Sequence, residues 1–180
     1  YPMRSDAYDR LGLMSIFTVS FFGHRYIDNI NRVEDQLETL LRKLLSEHEY
    51  CEFLVGRDGD FDQCVSSAIV RTKRTFRDDN CSHVLVLPYM RNDFLDNEQS
   101  FGKYYDEVEV CEQSAGAHFK AAFQLRNRSM VDRSDLVIFN VEHDSGGAYQ
   151  TMKYAIEQGK KIIITSKLFF LKTNEEILKS

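Results

Sequence analysis

Two hydrophobic periods take turns along this chain, and their alternation leaves few architectures open. Residues 16–22 (I-F-T-V-S-F-F) are β-branched and aromatic and end at Gly23, which reads as a buried strand. Residues 29–47 then place Ile30, Val33, Leu37, Leu40, Leu41 and Leu44 at helical spacing, with Glu34, Asp35, Glu38, Arg42 and Lys43 mostly between them. That is an amphipathic helix with one face on a sheet. The pattern repeats with a strand at 51–55 closing at Gly56, a helix at 61–76 and a strand at 83–88. Residues 89–103 are polar, lack a period and read as a loop, and 104–111 alternate like a half-buried strand. A helix at 117–132, a strand at 135–141, a helix at 147–158 and a strand at 161–165 complete the series. The tail holds Leu168–Leu171 and Glu175–Leu178, which suggest a short helix.

Strands separated by helices pair in parallel through crossovers, with helices on both faces of one sheet. The expected fold class is therefore α/β, a Rossmann-like three-layer α/β/α structure with a mainly parallel sheet. The 180 residues suit one domain, and no tandem repeat or linker divides them. Residues 1–13 show no period, and Met14 stands directly before the first strand. We expect 1–13 to be an extension or an expression remnant and 14–180 to be the domain.

Charge and cysteine usage bound the partners. Twenty-three basic against 28 acidic residues leave a formal net charge of −5. A protein that tracks a phosphate backbone needs a basic surface, so no nucleic-acid partner is expected. A small anion needs only a local site and stays allowed. Cys51, Cys64, Cys81 and Cys111 form no C-x-x-C pair, and no His stands at zinc-finger spacing from them. They read as reduced thiols in a cytoplasmic protein, with no metal site. No apolar run reaches the roughly 18 residues that would span a bilayer, so no membrane partner is expected.

In open α/β sheets, ligands sit beyond the carboxyl ends of the strands. Four such places carry unusual residues. The first strand ends in F-G-H-R, offering Gly23 for a sharp turn and His24 and Arg25 as donors. The second ends in V-G-R-D-G-D-F-D, which crowds Gly56, Asp58, Asp60 and Asp62 into one turn. One carboxylate there suits a helix cap, and three together suggest a polar ligand such as a ribose. The fifth ends in E-H-D-S-G-G-A-Y-Q-T, where Ser145, Gly146 and Gly147 open a helix that also carries Thr151. Free N–H groups and the helix dipole favour an anion there. The spacing matches neither the standard dinucleotide nor the P-loop signature. The segment R-N-R-S-M-V-D-R-S-D brings Arg126 and Arg128 near the sheet, either as phosphate forks or as partners of the Asp58–Asp62 cluster.

These motifs, in this order, resemble the YpsA-like branch of the SLOG superfamily of Rossmann-like proteins, relatives of the LOG and DprA families. The resemblance covers roughly residues 16–166 and rests most on R-N-R-S-M-V-D-R-S-D-L-V-I-F and S-G-G-A-Y-Q-T-M-K-Y-A-I-E-Q-G-K-K-I-I. It implies a pocket for a nucleotide or nucleotide-derived ligand of AMP, NAD or ADP-ribose type, and no firmly required cofactor. Phosphate would lie on Gly146 and Gly147, with Gly23 beside it, and Arg25, Asp60 and Arg128 as weaker carry-overs. The LOG hydrolases carry P-G-G-x-G-T-x-x-E, whereas this chain has Ser145, Tyr149 and Lys153 in place of the Pro, the third Gly and the catalytic Glu. The expected function is thus a nucleotide-sensing or nucleotide-binding module. One alternative is an enzyme acting at a nucleotide N-glycosidic bond, with Asp60 or Asp62 as its carboxylate. The other is an interaction scaffold, which would extend to a homo-oligomer, using Phe94, Phe101, Tyr104 and Tyr105. His24 and His143 are placed to touch a ligand, and His48, His83 and His118 read as surface or core-edge residues.

Overall fold

A computed structural model describes residues 14–167. The expectations for residues 1–13 and for the helix in the tail lie outside them. β1 (Ile16–Gly23), β2 (Tyr50–Val55), β3 (Cys81–Leu87), β4 (Glu107–Val110), β5 (Leu136–Asn140) and β6 (Lys161–Ile164) form one six-stranded sheet in the order β4-β3-β2-β1-β5-β6. Every neighbouring pair is parallel, so the sheet is wholly rather than mainly parallel. The chain enters at the centre with β1, steps outward through β2, β3 and β4, then returns to the other side of β1 with β5 and β6. The order reverses between β1 and β5, and the crevice of such a sheet opens where the order reverses.

The central strands are buried on both faces, which is why they read as continuous apolar runs rather than as alternation. On one face α1 (Ile30–Glu47) and α2 (Asp60–Thr75) cover Phe21, Phe53 and Val55 with Leu37, Leu41, Phe61 and Ile69. On the other, α6 (Phe119–Asp132) and α7 (Gly147–Glu157) cover Phe22, Val86, Val137 and Phe139 with Met130, Val131 and Ala155.

Three short helices depart from the sequence reading. The segment expected to be a loop contains α3 (Asn92–Asp96) and α4 (Glu98–Tyr104), and α5 (Glu112–Ala115) precedes α6. Each is two turns or less, too short for an apolar stripe to declare itself: α3 buries nothing and α4 only Phe101. β4 accordingly starts at Glu107, later than the alternation from Tyr104 suggests, because Tyr104 ends α4 and Tyr105 turns into the core. Phe101 and Tyr105 are buried and Phe94 is packed against them, so these aromatics close the core edge.

Candidate functional site

The carboxyl ends of β1, β2 and β5 and the start of α7 enclose a cavity of about 490 Å³. Of the residues singled out from sequence, Gly23, His24, Arg25, Gly56, Asp62, Arg126, Gly146 and Gly147 line it. Asp60, Arg128, Ser145 and Thr151 stand outside its lining. Asp58 and His143, also marked in the sequence, line it too, and Tyr26, Phe123 and Gln124, which are not marked there, join them.

One wall is a helix start stripped of side chains. Gly146 precedes α7 with φ 91°, a left-handed conformation that other residues adopt only under strain. No side chain caps this helix, and the first intrahelical bond from its start runs from Gln150 N–H to Gly146 C=O. The N–H groups of Gly147, Ala148 and Tyr149 therefore carry no intrahelical bond. A Cβ on Gly146 would meet nothing within 4 Å, so the helix end opens onto space. Thr151 serves the wall from behind: its hydroxyl bonds Gly147 C=O at 2.9 Å and accepts from Asn127 Nδ2 at 3.1 Å, tying α7 to α6.

Facing it, Arg126 is buried to 6% exposure at the end of a long side chain. Its Nε donates to Asn127 Oδ1 at 2.9 Å and one Nη donates to Val86 C=O at 2.8 Å. Burial pulls its pKa down, opposed by the negative charges of Asp62 and Asp58. The Asp62 carboxyl is pushed up to about 6 by desolvation, although Arg126 and the bond from Asp58 N–H at 3.0 Å work the other way. Arg128, two residues on, points elsewhere and lies over the Tyr154 ring, 5.1 Å from its centre.

The three carboxylates after β2 divide their work. Asp58 Oδ1 takes Arg91 at 2.5 Å, and its Oδ2 is buried without a hydrogen-bond partner. Asp60 Oδ2 accepts from Ile27 N–H at 3.1 Å. Neither Asp60 nor Asp62 makes a cap hydrogen bond to α2, contrary to the capping reading for one of them. Arg91 is not legible from sequence as a member of this group, since it lies in the segment that lacks a period.

The loop after β1 is held on both sides. Asp60 N–H donates to Arg25 C=O at 2.8 Å, Arg25 Nε donates to Asp58 C=O at 3.3 Å, and a Cβ on Gly59 would come 2.8 Å from Arg25 Cα. Gly23 has a packing cause: a Cβ there would collide with Phe61 at its Cγ, Cδ1 and Cβ atoms. His24 is buried, and its Nε2 accepts from the N–H groups of Glu142 at 3.0 Å and His143 at 3.4 Å. Its ring also stacks on His143 at 3.6 Å. Its pKa is lowered, first by burial and then by His143, so the ring is a neutral acceptor. Ser145 Oγ lies 3.1 Å from His143 Nδ1 and extends this tie.

The thiols and the remaining histidines are structural. All four cysteines are free and buried, and burial pushes Cys64 up to about 11 and Cys51 up to about 12. His83 is buried on Ser66 Oγ at 2.9 Å, and His48 stacks on Phe17. His118 caps α6, its Nδ1 accepting from Lys120 N–H at 3.4 Å.

Solved structures share this architecture. DNA processing protein A (DprA) from Streptococcus pneumoniae matches with TM-score 0.58 at 17% identity, over 82% of this chain and 49% of its own. DprA from Helicobacter pylori, described for its single-stranded DNA binding mode, matches with TM-score 0.56 at 14% identity, over 87% of this chain and 73% of its own. The fold is that of the DprA proteins. The chain spans about half the length of the Streptococcus DprA. No protein-family model matches the sequence, and neither does any curated protein. The DprA likeness supports the fold that the resemblance implies, and the finer YpsA-like branch is not reached by it.

The DprA fold also corrects one expectation. Net charge argued against a nucleic-acid partner, yet a DprA protein built on this sheet has a single-stranded DNA binding mode. A charge of −5 summed over the whole chain says nothing about one cleft, and here Arg25 and Arg126 both line it. Strand binding depends on such local grooves rather than on the total. Among the described residues, no helix is long and apolar enough to cross a membrane.

Proposed function

We propose that this chain binds a nucleotide-type ligand in the β1–β5 crevice, in a cytoplasmic setting and as a member of the YpsA-like branch. The observation that carries this reading is the pairing of an uncapped helix start with a buried guanidinium across one cavity. The N–H groups of Gly147, Ala148 and Tyr149 and the dipole of α7 attract a phosphate, the space at Gly146 is open, and Gln124 Nε2 stands beside Gly147 as a further donor. Arg126 adds a fixed cation on the same cavity. Asp58 Oδ2, buried and unpartnered, suits a sugar hydroxyl. Lys153, at the position of the LOG glutamate, lies over the Tyr149 ring, 5.6 Å from its centre, which favours binding over hydrolysis.

A second reading is favoured by the single-stranded DNA binding mode of the Helicobacter DprA: the phosphate belongs to a single strand of DNA. Both are tested by thermal unfolding with AMP, ADP-ribose, NAD and a short single-stranded oligonucleotide. A ligand at about 100 times its Kd stabilises the folded state by about 2.7 kcal/mol. Stabilisation by the small nucleotides supports the first reading, and stabilisation by the oligonucleotide alone supports the second. No stabilisation by any of them overturns both.

A further inference from the structure

We propose that Tyr26 is a stacking platform for the base of the bound nucleotide, which rests on the reading of the cavity as a nucleotide site. Tyr26 is 81% exposed, yet it lines the cavity. A tyrosine that merely decorated the surface would need no fixed backbone, and this one has it. The residue before it accepts from Asp60 N–H at 2.8 Å through Arg25 C=O, and the residue after it donates from Ile27 N–H to Asp60 Oδ2 at 3.1 Å. The Arg25 side chain adds a third tie to Asp58 C=O. Tyr26 is thus pinned from both sides to the start of α2 and the loop before it, while its ring is left to solvent at the cavity.

Such an arrangement matches the physics of base recognition. An exposed ring has unsatisfied apolar faces, a base has two of its own, and stacking is tolerant of sequence. Pinning the backbone removes part of the ordering entropy that a mobile ring would lose on binding. The cavity then has complementary regions: the α7 start and Arg126 for phosphate, and Tyr26 for the planar group. The same platform serves a free mononucleotide or one base of a single strand, and the shared chemistry is a nucleobase attached to a phosphate.

The experiment exploits a property of the sequence: the chain contains no tryptophan. Tyr26→Trp therefore introduces a single tryptophan at the platform, whose emission can be excited apart from that of the tyrosines. AMP is expected to quench its emission, and ribose 5-phosphate, which has the phosphate and sugar but no base, is expected to bind without quenching. In parallel, Tyr26→Ala should weaken AMP binding about 5- to 150-fold, the range of one base–aromatic stack, and leave ribose 5-phosphate affinity within about twofold. Tyr26→Phe should bind AMP like the unaltered protein. A short oligonucleotide in place of AMP distinguishes a strand from a free nucleotide as the source of the base. If AMP binds equally to the unaltered protein and to Tyr26→Ala, the platform is overturned while the nucleotide site stands. If AMP, ribose 5-phosphate and the oligonucleotide all fail to bind the unaltered protein, both are overturned.

Discussion

Asp62 and Arg126 meet over Gly56: Asp62 Oδ2 and Arg126 Nη1 lie 2.9 and 3.5 Å from the point that a Cβ on Gly56 would occupy. The glycine thus leaves room for a half-buried carboxylate from α2 and a buried guanidinium from α6 to face one cavity. Gly56→Ala pushes a methyl group against a carboxylate held by Asp58 N–H. Overpacking of this kind costs about 1–3 kcal/mol. We expect a lower midpoint in urea unfolding with an unchanged slope, together with weaker AMP binding. A variant as stable as the parent would show that Asp62 moves aside freely.

The Asp62 carboxyl should also be visible in the pH dependence of stability. Its pKa is raised to about 6 in the folded chain against an ordinary 3.8, so the folded state holds its proton more tightly than the unfolded state. Its contribution is fully present below 3.8 and is lost as pH rises through 6. A change of that size corresponds to about 3 kcal/mol. Stability of the unaltered protein minus that of Asp62→Asn should therefore rise by up to that amount as pH falls from about 7 to about 4. A flat difference curve would mean that Asp62 is better solvated, or better paired with Arg126, than its burial indicates.

His83 pulls in the opposite direction. Burial lowers it to about 4 from 6.5, and its Nε2 is engaged with Ser66. A depressed histidine contributes stability that is present above 6.5 and is lost as pH falls towards 4, again about 3 kcal/mol. Replacing His83 by Gln keeps a polar partner for Ser66 and removes the titration. Urea unfolding of this variant should show less acid loss between pH 6.5 and 4 than the parent. Equal acid loss in both would assign the transition to other groups.

Much of the fold is legible in the sequence, and the reason is length. β1, β3 and β5 are dominated by apolar runs such as Val84–Leu87 and Leu136–Phe139, and α1 and α2 are long enough for a stripe such as Val33, Leu37, Leu41 and Leu44 to stand out. The helices α3 to α5 fall below that length, so Arg91 and its bond to Asp58 are hidden with them. Within the site, glycine-rich strand ends announce a cavity but not the task of each residue. Asp60 and Asp62 are two positions apart on one helix and so point in different directions: one fixes the β1 loop and the other faces Arg126. Arg126 and Arg128 part company for the same reason. Gly23 reads from sequence as a place for close approach of a ligand, because its neighbour Phe61 comes from another element.

That last relationship yields a sharp test of whether Gly23 serves packing or ligand. A Cβ at Gly23 would collide with the root of the Phe61 side chain, which is fully buried. Gly23→Ala alone should destabilise by about 3 kcal/mol or more, at the upper end for overpacking. Phe61→Ala alone leaves a cavity and should cost about 3–5 kcal/mol. In the double variant the new methyl group enters space that the ring has left. The cost of the double variant should then fall short of the sum of the two single costs by about 1–3 kcal/mol, the coupling expected of residues in direct contact. Urea unfolding of all four proteins closes the cycle. Additive costs would show that Gly23 is not held to glycine by Phe61, and would return it to the ligand.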